Sequence, residues 1–123
     1  MRRLATVQNL DRLTEGPARI RLCDSFFERL RGFMFQRALS AEDGLLLVGE
    51  REDRLSSAIH MLFVPFDLAV IWIDGSLEVV DKVLAKAWHL AYVPSRPAKY
   101  VLEIHPSRYS AFEIGHKVEI IDA

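Results

Sequence analysis

One cysteine, Cys23, in 123 residues excludes an internal disulfide and any multi-cysteine zinc site. No apolar run approaches the roughly 20 residues that a membrane span needs. The sequence has no GxSxG nucleophile elbow, no phosphate-cradling glycine loop and no HxH or HExxH pair. Internal repeats, linkers and low-complexity tracts are also missing. No helical pattern of 10–15 residues separates successive strand-like segments, which argues against an α/β parallel sheet. The charge lacks a dominant sign: 16 Lys and Arg oppose 17 Asp and Glu, a formal net charge of −1. That balance disfavours a dedicated nucleic-acid binder.

What remains is an ordinary globular composition, 50% hydrophobic and 27% charged, of a length that suits one domain with one core. The charges are unevenly spread. Residues 1–37 carry eight Arg and four acids, so the N-terminal third is basic and the remainder acidic. Such a face can meet an anionic ligand or simply stay wet. Met1-Arg2-Arg3-Leu4-Ala5 begins like a signal peptide, but Gln8, Asn9, Asp11 and Arg12 interrupt the apolar core at once. The expected setting is therefore cytoplasmic, without a membrane partner.

Residues 1–17 read as an N-terminal arm or edge strand ended by Gly16-Pro17, and 18–123 as a single β-rich domain. Ala18-Arg19-Ile20-Arg21-Leu22 alternates with the period of a half-buried strand. Ser25 to Glu28 has capping-box spacing, predicting a short helix to about Leu30 that Gly32 closes in a left-handed conformation. Phe26, Phe27, Leu30, Phe33, Met34 and Phe35 then form an apolar plug against a sheet. Leu45-Leu46-Leu47-Val48 is a buried strand and 49–54 a charged loop. Two strands flank Pro65, and Asp74-Gly75 marks a hairpin whose turn positions want positive φ, returning along 77–83. Tyr100 to His105 and Lys117 to Ile121 are further strands, with one helical turn after Pro106. Seven or eight short strands with one or two short helices predict a mainly β fold, a sandwich or barrel.

The chemistry-bearing residues are sparse. His60 lies among Ile59, Met61, Leu62 and Phe63, where an imidazole must find a partner, either the backbone or a ligand. Glu103 lies on the strand face opposite Leu102 and Ile104, pointing to solvent or lining a pocket. Cys23 feels two opposed influences: Asp24 raises its pKa, and the following helix N-terminus lowers it. His89, His105 and His116 fall at strand ends or turns, and no metal site is expected.

Glu28-Arg29-Leu30-Arg31-Gly32-Phe33-Met34-Phe35, the Ile59-His60 to Asp74-Gly75 block and Ala98-Lys99-Tyr100-Val101-Leu102-Glu103-Ile104 together resemble the domain of unknown function 192 family. The resemblance covers residues 18–121. It rests on the E-R-x-R-G-x-M and x-Y-V-L-E-x patterns in combination. Family members are small bacterial and archaeal proteins, often with a signal peptide. The resemblance implies a compact β-sandwich of jelly-roll-like character with short helices, and no particular reaction. The chain departs from the pattern around Pro65-Phe66-Asp67 and Ala69, and at His116, where the family carries aspartate after glycine.

The expected function is a binding module whose small-ligand groove is edged by Arg29, His60, Tyr100 and Glu103, with no cofactor. The alternatives are a small hydrolase using His60 or Glu103, and an accessory protein acting through its surface. Whether His60, Tyr100 and Glu103 share one cleft separates the three.

Overall fold

The computed structural model describes residues 3–13 and 16–122, and of Phe26 only its backbone. Seven strands form one sheet: β1 (Leu4–Asn9), β2 (Ala18–Cys23), β3 (Gly44–Asp53), β4 (Leu68–Ile73), β5 (Val79–Ala85), β6 (Ala98–Ile104) and β7 (Val118–Asp122). Their order across the sheet is β5-β4-β6-β3-β2-β1-β7. All neighbours are antiparallel except β2 and β3, whose crossover carries the short helix α1 (Phe26–Arg31). A 3₁₀ helix follows β6 at Pro106–Ala111.

The sheet curls until its outermost strands meet. Glu78 bridges Lys117, and the Val79 N–H donates to His116 O at 2.9 Å while Val118 N–H donates to Leu77 O, also at 2.9 Å. Joining the two ends covers backbone groups that an open edge would leave unpaired. The mainly β class with short helices is thus the observed one. The strands hydrogen-bond into one curled seven-stranded sheet.

The curl has an apolar side on each face. One cluster draws residues from all seven strands, among them Val7, Ile20, Leu46, Ile71, Leu102 and Val118, and is plugged by Ala111 and Phe112. A cluster that touches every strand lies inside the curl. The second cluster lies on the other face of β2–β6: Cys23, Leu45, Leu47, Val70, Trp72 and Val101. It is roofed by Phe33, Ile59, Met61 and Val64, which come from connecting segments. β4 lies between β5 and β6 with both faces covered, so all six of its residues are buried. Alternation in β2 splits its side chains between the faces, with Arg19 exposed beside buried Ala18 and Ile20.

Several expectations change in three dimensions. The segment 1–17 contributes an internal strand: β1 pairs with β2 on one side and β7 on the other. β7 lies more than a hundred residues further along, so its return could not be read locally. β3 runs on through the charged residues 49–53, because β6 supplies a partner as far as Asp53 across an irregularity after Val48. The residues before Pro65 make no strand beyond one bridge between Ile59 and Tyr92. Phe63 takes φ 60° and Val64 N–H turns back to Met61 O at 3.1 Å, which drops Ile59, Met61 and Val64 onto the sheet. In the β4–β5 hairpin, Leu77 carries the positive φ of 66°, while Gly75 does not lie in that region. Asp74 dictates this turn, its carboxylate accepting from the Ser76 and Glu78 N–H groups at 2.9 and 3.0 Å.

The apolar plug is also smaller than expected. Phe33 is buried and Met34 half-buried, but Phe27, Leu30 and Phe35 are exposed, and the Phe26 side chain lies outside the described residues. A six-residue helix presents only one short face, so most of the roof comes from the 56–64 segment instead. No helix among the described residues is long and apolar enough to cross a membrane.

Candidate functional site

Between α1 and the 56–61 segment, above the outer apolar face, lies a cleft of about 240 Å³. Its floor comes from β3, β4 and β6: Leu47, Leu68, Val101 and Glu103. Glu103 pairs in register with Leu45 of β3 and Val70 of β4, so its carboxyl rises from an otherwise apolar row. The residue is 4% exposed, and among the described residues no fully buried side-chain oxygen or nitrogen lacks a hydrogen-bond partner, so this carboxyl is not an orphan sealed in the core. Desolvation pushes its pKa from the ordinary 4.5 up to about 7.

α1 forms one wall. Its start is the capping box read from the sequence: the Glu28 N–H donates to Ser25 Oγ at 3.2 Å and the Ser25 N–H to the Glu28 carboxylate at 3.3 Å. Its end is Gly32, at φ 48° and ψ −124°, whose N–H donates to Glu28 O. A Cβ there would sit in ordinary contact, 3.4 Å from Glu103 Oε1, so the helix end lies directly beside this carboxyl. Arg29 ties the helix to the sheet, its Nη1 donating to Val48 O at 3.0 Å and Asp24 O at 2.9 Å.

The opposite wall is held by the sheet itself. The Trp72 indole N–H donates to Ser57 O at 2.7 Å, and Ser57 Oγ reaches back to Asp53 O. Trp72→Phe removes a donor from a buried carbonyl and should cost about 2 kcal/mol of stability. Urea unfolding would measure this, and amide exchange should speed up over residues 56–61. Equal stability and unchanged exchange would show that the indole bond does not hold this wall.

His60 joins the two walls. The Leu62 N–H donates to His60 Nδ1 at 3.2 Å, which places the ring proton on Nε2, and Nε2–H donates to Leu30 O at 3.1 Å. Both ring nitrogens are therefore engaged by backbone. His60→Ala should lower stability by about 2 kcal/mol through two lost hydrogen bonds and an unroofed helix end. Chemical denaturation checks it: an unchanged midpoint would mean that the imidazole bridges nothing of consequence.

Of the residues expected at a site, the structure brings Arg29, His60 and Glu103 around this cleft and leaves Tyr100 out. Tyr100 is adjacent to Leu102 in the alternation and packs half-buried against the inner cluster, on the far side of the sheet from Glu103. Arg31, Arg51, Lys99, Ser56 and Ser57 also line the cleft and were not anticipated. For Lys99 a signal existed, since the same alternation puts residues 99, 101 and 103 on one face.

The opposed influences on Cys23 are resolved by burial. Desolvation pushes the thiol up, with Arg21 pulling the other way, and the residue is 3% exposed. It is a packed core thiol and not an activated nucleophile. Among the described residues, no group of three or more His, Cys, Asp or Glu side chains could hold a metal ion.

A small, mainly β protein with a curled sheet and a cleft over one buried carboxyl is the class that this geometry defines. The sequence profile of DUF192, described as "Uncharacterized ACR", matches residues 9–120, and the chain belongs to that family. It is 39% identical over 93 residues to a UPF0127 protein of Thermococcus kodakarensis, a match that covers 73% of this chain and 57% of that protein. The chain thus spans little more than half the length of that relative. It is 35% identical over 102 residues to a UPF0127 protein of Pyrococcus furiosus, 81% of this chain and 84% of that one. A crystal structure of a protein of unknown function from Novosphingobium aromaticivorans superposes with a TM-score of 0.78, 22% identity, and coverage of 94% of this chain and 83% of that one. At that identity the likeness concerns the fold.

Proposed function

We propose that the protein is a binding module for a small molecule, seated in the cleft between α1 and the 56–61 segment. The observation that carries this reading is Glu103, a carboxyl on a residue only 4% exposed, standing on the apolar floor of the cleft. Small-ligand sites are mostly apolar with a few convergent polar groups, and a carboxyl standing on an apolar cleft floor is such a group. Both walls are pinned by specific bonds, from Trp72 to Ser57 and from Arg29 to Val48, so the cleft is pre-formed and little ordering opposes binding. On this reading Arg29 and His60 hold the walls in place, Glu103 faces the ligand, and Tyr100 stabilises the sheet behind it. The two halves of the curled sheet face each other across the inner cluster, which supports a sandwich-like description of the fold. The lone, buried thiol of Cys23 supports a reducing, cytoplasmic setting.

A hydrolase built on His60 or Glu103 has weaker support. His60 has no free ring nitrogen for proton transfer, and the buried Cys23 offers no activated nucleophile. The test is a thermal-shift screen of small polar molecules, with hits located by amide chemical shifts. Binders should raise the midpoint and perturb residues 29–33, 47–51, 56–61 and 98–103. Hits that all map elsewhere, or none at all, would sink the reading.

A further inference from the structure

The cleft's charge does not match that of the chain. The whole sequence has a formal net charge of −1, yet Arg29, Arg31, Arg51 and Lys99 all line this one cleft, with Glu103 as its single acid. Elsewhere several cations are matched: Arg3 pairs with Asp24 and Asp122, Lys82 with Glu113, Lys86 with Asp67 and Lys117 with Glu78. None of the four cleft cations is in such a pair among the described residues. Arg29 spends Nη1 on two carbonyls, Arg51 exerts a pull on Asp53 of its own strand, and Lys99 lies 5.7 Å from the Tyr100 ring. Positive charge without matching acid, gathered around an apolar floor, is a recognition surface for negative charge.

We infer that the ligand is a small organic anion with an apolar body, its head meeting Arg31, Arg51, Lys99 and the Glu103 carboxyl and its body lying over Leu47 and Val101. This rests on the reading of the cleft as a ligand site. A cleft of about 240 Å³ has room for a small ligand rather than a single water or ion. Neutral or cationic ligands would leave the guanidinium and ammonium groups unmatched, and a cation would be repelled outright.

Glu103 then couples binding to pH. The charged and titratable groups that share the cleft with it or pack beneath it are Arg29 and Arg31 on α1, Arg51 on β3, Lys99 on β6, His60 on the facing wall and Cys23 on β2, while β4 contributes only the apolar Leu68 and Val70; burial alone raises its pKa, and none of the cations pulls it down. Protonated, Glu103 can donate its O–H to the bound molecule. Ionised, it places a negative charge under an anion. Its pKa near 7 puts that change at neutrality, so anion binding is tighter below about pH 7 and weaker above.

The experiment is a titration of the isotopically labelled protein with hexanoate, hexanamide and hexylamine, read by amide shifts. Hexanoate should perturb residues 29–33, 47–51, 56–61 and 98–103 and bind about tenfold more tightly than hexanamide, with hexylamine weakest. The Arg51→Gln/Lys99→Gln double variant should weaken hexanoate by about tenfold and leave hexanamide unchanged. Raising the pH from about 6 to about 8 should weaken hexanoate several-fold in the native protein and have no such effect in Glu103→Gln. Hexanamide binding as tightly as hexanoate in the cleft would overturn the anion inference and leave the ligand site standing. If none of the three perturbs these amides, the inference and the ligand site fall together. A pH dependence that persists in Glu103→Gln would overturn the part assigned to Glu103.

Discussion

Glu103→Met is expected to stabilise the protein at pH 8 by about 3 kcal/mol, while changing little at pH 4. In the folded protein the carboxyl titrates near 7, against 4.5 for an ordinary glutamate. Below about pH 4.5 it is protonated in both folded and unfolded chains, and the two states bind the same number of protons. Between 4.5 and 7 the unfolded chain releases this proton and the folded one keeps it. Unfolding is then favoured progressively as the pH rises. Above about 7 both states are ionised and the loss is complete. Methionine, unbranched and apolar, removes the titration and suits a site among Leu45, Val70 and Val101. Urea unfolding of both proteins across this pH range measures the difference, which corresponds to a midpoint shift of roughly 10 °C. Curves that run parallel at all pH values would mean that Glu103 titrates normally and is not a desolvated carboxyl. A gain in stability accompanied by loss of hexanoate coupling to pH would tie the destabilising group to the binding site, the usual sign of a residue kept for function.

Gly32→Val is expected to cost about 3 kcal/mol, again roughly 10 °C in the midpoint. At φ 48° and ψ −124° the backbone lies where a β-branched residue does not go without strain. The Cβ itself would be in ordinary contact, 3.4 Å from Glu103 Oε1, and the two γ-methyls of valine would crowd the space between the helix end and the floor of the cleft. Gly115→Asn is the comparison: φ there is 96°, but nothing lies within 4 Å of a Cβ, so steric crowding is missing and the loss should be smaller. Thermal unfolding of the two variants decides the matter. Equal losses at both positions would leave the contact between Gly32 and Glu103 without consequence.

The capping box at Ser25 and Glu28, and the stop at Gly32, are local hydrogen-bonding and backbone requirements, and they were legible residue by residue. The same holds for the alternation in β2, the short helix after Pro106 and the existence of a hairpin at Asp74. In each, the information lies within a few residues of where it acts. The family signature was legible for the same reason, in short blocks of sequence.

Part of the candidate site was within reach of the same local rule. Alternation along β6 puts Lys99, Val101 and Glu103 on one face and Tyr100, Leu102 and Ile104 on the other, so the strand period alone separates Tyr100 from Glu103. What alternation could not show is which face carries the cleft.

That was decided by contacts between distant segments. β1 became internal because β7, more than a hundred residues later, returned to its free side. The charged run 49–53 became strand because β6 offered hydrogen bonds, which outweigh the low strand preference of its charges. The apolar run before Pro65 became a roof, because Phe63 and Val64 turn the chain and Trp72 captures the Ser57 carbonyl. Glu103 acquired its altered pKa only when α1 and that roof excluded water from it. The sequence by itself determined caps, turns and the period of the strands, since these depend on near neighbours. Only the tertiary structure decided which strands are inside, where the cleft lies and that one carboxyl on its floor is desolvated, since burial and long-range pairing are properties of segments far apart in the chain.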